Sequence, residues 1–319
     1  MPTDQEIERI HALIEKESEF VERIIAEIGK VIVGQRTMVE RMLIGLFCDG
    51  HILLEGVPGL AKTLAVSSLA KVIDARFQRI QFTPDLLPAD VVGTLIYDQR
   101  QGTFSVKRGP IFSNIVLADE VNRAPAKVQS AMLEAMQEKQ VTVGKNTYRL
   151  EEPFFVMATQ NPIEMEGTFP LPEAQLDRFL LKVFIDYPSP DEEYEIVERY
   201  TGHSEPKVDR VITRRELLSL QQLTRDVPIS DDLKRAAIKA VISTRNWEGV
   251  EYGVSPRASI GLILASKARA LLNGRDYVNR EDLETMARPI LRHRIILTFD
   301  SERRGVTADQ VISNIIKSI

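Results

Sequence analysis

HILLEGVPGLAKTLAVSSLAKVI, residues 51–73, passes from an apolar strand-length run through a glycine-bearing turn into a helical pattern. The turn, GVPGLAKT from Gly56 to Thr63, sits between the strand HILLE and a helix expected from Thr63 to Ile73, which is the context a phosphate-binding loop needs. A turn of this kind leaves backbone N–H groups free to surround phosphate oxygens, and the N-terminus of the next helix adds a dipole that favours anions. In this reading Gly56, Val57, Pro58, Gly59, Leu60, Ala61 and Leu64 form the loop and its helix entry, Lys62 reaches the β- and γ-phosphates of a nucleotide, and Thr63 ligates Mg²⁺. Ala61 stands where the motif has its second glycine. A methyl group fits there if φ stays negative, as at the start of a helix, with Gly59 supplying any unusual dihedral, so negative φ is expected at Ala61.

Downstream, NIVLADE (114–120) is an apolar strand ending in two acids. Taken alone, such a pair is a solvated loop; after a phosphate loop, Asp119 would hold the Mg²⁺ shell and Glu120 would orient and deprotonate an attacking water. FFVMATQNP (154–162) ends a further strand in polar residues, where Asn161 either contacts that water or the terminal phosphate, or simply forms an Asn-Pro turn.

Working outward, strand-length apolar segments recur at 51–55, 76–82, 114–118, 154–158 and 180–186, most of them separated by helical patterns. That alternation is the signature of a parallel sheet covered on both faces. Two stretches break it, TLIYDQRQGTFSVKRG (94–109) and QVTVGKNTYRL (140–150), and both read as inserted β-hairpins because Gly or Asn turn signals lie between β-prone residues. An amphipathic helix is expected over 5–28, with Thr3 and Glu6 as a candidate capping box. At YPSPDEEY (187–194) prolines and acids mark a hinge, after which helical patterns with short polar turns take over; two domains are expected, 1–188 and 189–319.

Composition sets the outer bounds. With 319 residues, 44% hydrophobic and 27% charged, the chain can bury two cores without disulfides or structural metal. Its single cysteine, Cys48, follows the helical pattern Val39, Met42, Leu43, Leu46 and Phe47 and reads as core filler. The formal net charge of −5 gives no electrostatic footprint for a nucleic-acid backbone. The first residues lack the basic start and apolar stretch of a secretory signal, and apolar runs stay short of the roughly 18 residues that span a bilayer, so a soluble cytoplasmic protein without a membrane span is expected.

With these residues in place, the chain resembles the AAA+ ATPases, and within them the MoxR family, on VIVGQ (31–35), GVPGLAKT, LADEVNRAP (117–125), ATQNPIEMEGTFPLPEAQLDRF (158–179) and SPRA (255–258). The resemblance covers nearly the whole chain. It implies an α/β P-loop NTPase core, a five-stranded parallel sheet with helices on both faces, followed by a smaller all-helical lid. It further implies ATP and Mg²⁺ as cofactors, backbone at Val33 and Gly34 lying against adenine, Asn161 as sensor 1, Arg178 of LDRF as an arginine finger acting on a neighbouring subunit, and Arg257 of SPRA as sensor 2. The hairpins look like the helix 2 and pre-sensor 1 insertions of the clade that includes magnesium chelatase subunits and MCM helicases. The partners implied are further copies of the chain in a hexameric ring and proteins bearing a von Willebrand factor A domain, with a chaperone-like role in their maturation or assembly. A nucleic-acid remodeller and an ATP-gated scaffold are the rival readings, and overall acidity disfavours the first.

Overall fold

The computed structural model describes residues 14, 19–57, 59–100, 102–162, 168–202 and 206–318. Thr3, Glu6, Pro58 and residues 163–167 of the sensor 1 segment lie outside these. Helices α1 (19–29) and α2 (Arg36–Phe47) lead to β1 (Ile52–Glu55), α3 (Lys62–Val72), β2 (Phe77–Gln81), a short α4 (Pro88–Val92), the hairpin of β3 (Gly93–Asp98) and β4 (Thr103–Arg108), β5 (Ile115–Asp119), α5 (Ala126–Glu138), the hairpin of β6 (Gln140–Val143) and β7 (Asn146–Arg149), β8 (Phe155–Gln160), α6 (Glu173–Leu176) and β9 (Leu181–Phe184). Then come α7 (Pro190–Tyr200), α8 (Arg214–Asp226), α9 (Asp231–Ser243), β10 (Val250–Tyr252), α10 (Pro256–Leu272), α11 (Arg280–Leu291), β11 (Ile296–Leu297), α12 (Phe299–Arg303) and α13 (Ala308–Lys317).

The five expected strands form one sheet in the order β2-β5-β8-β1-β9, and every pairing in it is parallel. The interior strands are near-continuous apolar runs because both faces are covered. The two-residue period then divides their side chains. Ile52, Leu54, Ile115, Leu117, Phe155 and Met157 pack with α2 and α3 on one face, while Leu53, Val116, Ala118, Val156 and Ala158 pack with α5 on the other. Only β2, at an edge, reads polar, with Ile80 buried and Gln78, Arg79 and Gln81 exposed. Both inserted hairpins are present as antiparallel pairs. Cys48 is buried against the α2 side, where burial pushes its thiol pKa up.

After β9 the chain is helical apart from one short antiparallel ladder, β10 with β11. Capping boxes start four of its helices: Ser189 with Glu192 at α7, Thr213 with Glu216 at α8, Asn279 with Asp282 at α11 and Thr307 with Gln310 at α13. Helix α10 packs against α2, α8, α9 and α11, so the core face bearing α2 continues into the helical region. Among the described residues no helix is long and apolar enough to cross a membrane.

Asp282 does more than cap. Its carboxylate is fully buried and accepts from Arg275 at 2.6 and 2.7 Å, from Arg269 at 2.6 Å and from the Asn279 N–H at 2.9 Å. Burial pushes its pKa up, but the hydrogen bonds from Arg275, Asn279 and Arg269 outweigh this and hold it below the usual carboxylate value.

Position 61 departs from expectation. Ala61, the N-cap of α3, has φ 54° and ψ 20°, in the left-handed region, and Gly59 is at φ 87°. The loop thus turns through two left-handed positions. The Ala61 side chain is exposed, so the methyl group has space and the strain is in the backbone alone.

Replacing Ala61 with Gly should raise unfolding free energy by about 0.5–1 kcal/mol in urea titrations, the relief of left-handed strain exceeding the added freedom of the unfolded chain; a loss of stability would contradict this geometry. Asp282→Asn should cost about 2–3 kcal/mol by the same measurement, since it removes the buried charge that pairs with the half-buried Arg275 and Arg269, of which only Arg269 keeps another ion-pair partner among the described residues, Glu281. Because the folded pKa is depressed, the stabilisation by Asp282 is complete above its unfolded value near 4 and is lost as pH falls through the lower folded value. The Asn variant should therefore lose less stability than the parent between about pH 5 and pH 2.

Candidate functional site

A sheet of this order reverses direction beside β1, and its polar chemistry gathers where the strands end. The residues just past the carboxyl ends of β1, β5 and β8 line a cavity of about 400 Å³, bounded by Gly56, Gly59, Ala61, Lys62, Thr63, Leu64, Arg79, Asp119, Glu120, Thr159, Gln160 and Asn161. Gly56 is required at the strand exit because a Cβ there would lie 2.9 Å from the Ile185 carbonyl oxygen.

Lys62 opens α3, and its Nζ donates to the Gly56 carbonyl. Burial lowers its pKa, against the pull of the nearby Asp119, Glu120 and Glu55 charges. It forms no ion pair among the described residues, so the ammonium keeps the capacity to meet an anion. Thr63 follows, partly buried, and Leu64 is 37% exposed at the rim.

Opposite the loop, Thr159 binds both acids. Its hydroxyl donates to Asp119 Oδ1 at 2.6 Å and accepts from the Glu120 backbone N–H at 2.8 Å. Glu120 itself is left-handed, at φ 57° and ψ 51°, a conformation non-glycine residues adopt chiefly where the surroundings over-determine it. Its Oε2 accepts from Gln81 Nε2 at 2.8 Å and pairs with Arg123 at 3.1 Å. Asp119 Oδ2 accepts from Arg79 at 2.9 Å through Nε and at 2.5 Å through Nη2. Asn161, only 7% exposed, closes the far side.

The structure therefore brings together the described loop residues that line the cavity with Asp119, Glu120 and Asn161, and adds Arg79, Gln81, Arg123 and Thr159, which the sequence reading missed. Val33, Gly34, Arg178 and Arg257 are not among the lining residues. Val33 is buried, and Gly34, at φ 73°, abuts Glu192, whose carboxyl carbon lies 2.3 Å from where a Cβ would be. Arg178 donates to the Leu133 carbonyl at 3.0 Å, midway along α5. Arg257, in the first turn of α10, pairs with Asp177 Oδ2 at 3.2 Å. Arg294, almost wholly buried, takes the other oxygen of Asp177 at 2.7 Å and donates to the carbonyls of Asp177, Phe179 and Leu180.

The donor set fits a nucleotide with magnesium. Thr63 and Asp119 are oxygen donors, and Mg²⁺ typically takes one or two protein oxygens and completes its shell with phosphates and water. Accordingly, the described residues contain no cluster of three or more His, Cys, Asp or Glu able to hold a metal unaided. Lys62 and the loop N–H groups stand on one side of the cavity, and the acids, with Arg79 and Arg123 paired to them, on the other.

Comparison with known proteins agrees with this geometry. Residues 51–181 match the ATPase family associated with various cellular activities (AAA), and residues 242–315 match the AAA lid domain. The chain is 47% identical over 308 residues to Chaperone MoxR1 of Mycobacterium tuberculosis, covering 94% of this chain and 81% of that one. It is 45% identical over 298 residues to the uncharacterized protein YeaC of Bacillus subtilis, covering 93% of each. A crystal structure of a candidate ATPase from Cytophaga hutchinsonii superposes with a TM-score of 0.90 at 48% identity, covering 98% of this chain and 97% of that chain. With a P-loop sheet, a helical lid and such identity along almost the full length, the chain belongs to the MoxR family of AAA+ ATPases.

Proposed function

We infer that the chain binds Mg-ATP in the cavity above β1, β5 and β8, hydrolyses its terminal phosphoanhydride, and uses the cycle as a chaperone-like motor on partner proteins. One observation supports the reading above the others: Lys62, Thr63, Asp119, Glu120 and Asn161, scattered along the sequence, line a single cavity of about 400 Å³. The loop N–H groups and Lys62 would hold the β- and γ-phosphates, and Thr63 with Asp119 would hold Mg²⁺. Bound there, the metal neutralises charge on the phosphates. Asn161 would orient the attacking water and Glu120 would accept its proton. In the structure Gln81 and Arg123 hold Oε2 of Glu120, which would leave Oε1 to take the proton.

Val33 and Gly34, beside the start of α7, would flank the adenine, and Arg257 at the head of α10 would report the nucleotide to the lid. Taken with the change in composition at 187–194, this makes 1–188 the nucleotide-binding unit and 189–319 the lid. Arg178 stands apart from its own cavity, which favours action on a neighbouring copy within a ring, proposed to be a hexamer. The chaperone part of the reading is supported by the name of the Mycobacterium tuberculosis relative. A von Willebrand factor A protein is the partner class we propose, and the cytoplasm the compartment.

Lys62→Ala should weaken nucleotide binding by on the order of 100-fold in calorimetric titration, the loss of a charge-assisted contact of about 3 kcal/mol. Glu120→Gln should leave binding within about threefold while lowering phosphate release by roughly 10²–10⁴; equal affinity for Lys62→Ala and the parent would refute the site. Arg178→Ala should bind nucleotide normally and lose about 10³–10⁵ in turnover, partly restored by mixing with Lys62→Ala subunits, each supplying what the other lacks. Verified mixed oligomers that stay inactive would rule out action between subunits.

A further inference from the structure

The sequence reading assigns Asp119 to the metal, yet both oxygens of that carboxylate are engaged in the structure. Oδ1 accepts from Thr159 at 2.6 Å, and Oδ2 accepts twice from Arg79, at 2.9 Å from Nε and 2.5 Å from Nη2. A carboxylate oxygen has two lone pairs, so the fork uses the acceptor capacity of Oδ2. A divalent cation bound through Oδ2 would lie about 2.0–2.1 Å from it and would also meet the like charge of the guanidinium. Arg79 and a metal compete for Oδ2, while Oδ1 keeps one lone pair beyond the Thr159 bond.

An ion pair at a protein surface usually contributes little, and the Arg79 side chain is 48% exposed. This one differs by its connections. Asp119 is only 15% exposed, and Arg79 Nη2 also donates to Gln81 Oε1 at 2.6 Å, fixing the guanidinium from a second side. The strand that bears Arg79 is a sheet edge, paired through register with β5 and open on its other side, which leaves the side chain room to swing away.

We propose that Arg79 is a positioning residue that occupies the magnesium seat on Asp119 in the nucleotide-free protein and must be displaced when the metal arrives, so that it sets how much Mg²⁺ the site requires. This rests on the reading of the cavity as a Mg-nucleotide site. The device is competitive: the guanidinium neutralises and orients Asp119 while the site waits, and yields to the stronger divalent charge brought in with the phosphates.

The test uses ADP, which binds without turnover. Full-length parent, Arg79→Ala and Arg79→Lys proteins are titrated with ADP by calorimetry across a series of free Mg²⁺ concentrations, including none. In Arg79→Ala the Mg²⁺ concentration giving half of that variant's own metal-dependent gain in affinity should fall about three- to tenfold. Lysine keeps the charge but has no fork with which to take Oδ2 twice, so Arg79→Lys should fall part of the way. An unchanged or higher Mg²⁺ requirement in Arg79→Ala would overturn the proposal. So would a lysine variant identical to the parent, which would reduce the effect to distant charge. A parent protein that binds ADP with a clear Mg²⁺ response leaves the nucleotide reading standing whatever Arg79 does, whereas a parent that binds no ADP would overturn both.

Discussion

A parallel sheet buried on both faces has no place for polar chemistry except the ends of its strands. That constraint organises this protein. The central strands β1, β5 and β8 are apolar until their carboxyl ends and switch to polar residues there, at Glu55, Asp119–Glu120 and Thr159–Asn161. Parallel register places these exits side by side, so distant segments of sequence meet without any loop having to reach. The tightest link among them is the Thr159 hydroxyl, which joins the end of one strand to both acids at the end of the next.

This explains which parts could be read from the sequence. Hydrophobic runs and turn residues are local signals, so the five strands, both hairpins and the loop from Gly56 to Thr63 were legible. The acids of LADE and the Asn161 position gained meaning only because a phosphate loop preceded them. Arg79 and Gln81 were not legible: their alternation shows that they share a polar face of β2, but nothing local says that β2 pairs with β5 and so lies against Asp119 and Glu120. The backbone at Ala61 escaped for a different reason. Propensity predicts a negative φ for alanine, and closure of the loop around its cavity overrides it by a strain of about 1–2 kcal/mol.

Electrostatics divides the site along the same lines. The loop side has an ammonium, N–H groups and a helix N-terminus, and the β5 side has two carboxylates already neutralised by Arg79 and Arg123. A triphosphate bridging these halves would meet positive potential first, then a metal seat. Beyond the cavity, Asp177 plays the corresponding part for the lid, since its two oxygens hold Arg257 and Arg294 from the helical region, immediately before Arg178 in the chain.

The burial of Arg294 has a mechanical meaning. Its guanidinium fastens the helical region to the backbone of 177–180, while the covalent chain crosses between the same two bodies a few residues later, after β9. Further ties run alongside: α10 packs on α2, Gln221 donates to the Leu46 carbonyl at 2.8 Å, and the Val211 N–H donates to the Val72 carbonyl at 2.8 Å. A lid rooted in this way tilts only against the Arg294 anchorage, and a tilt that broke it would leave a buried charge without its partner.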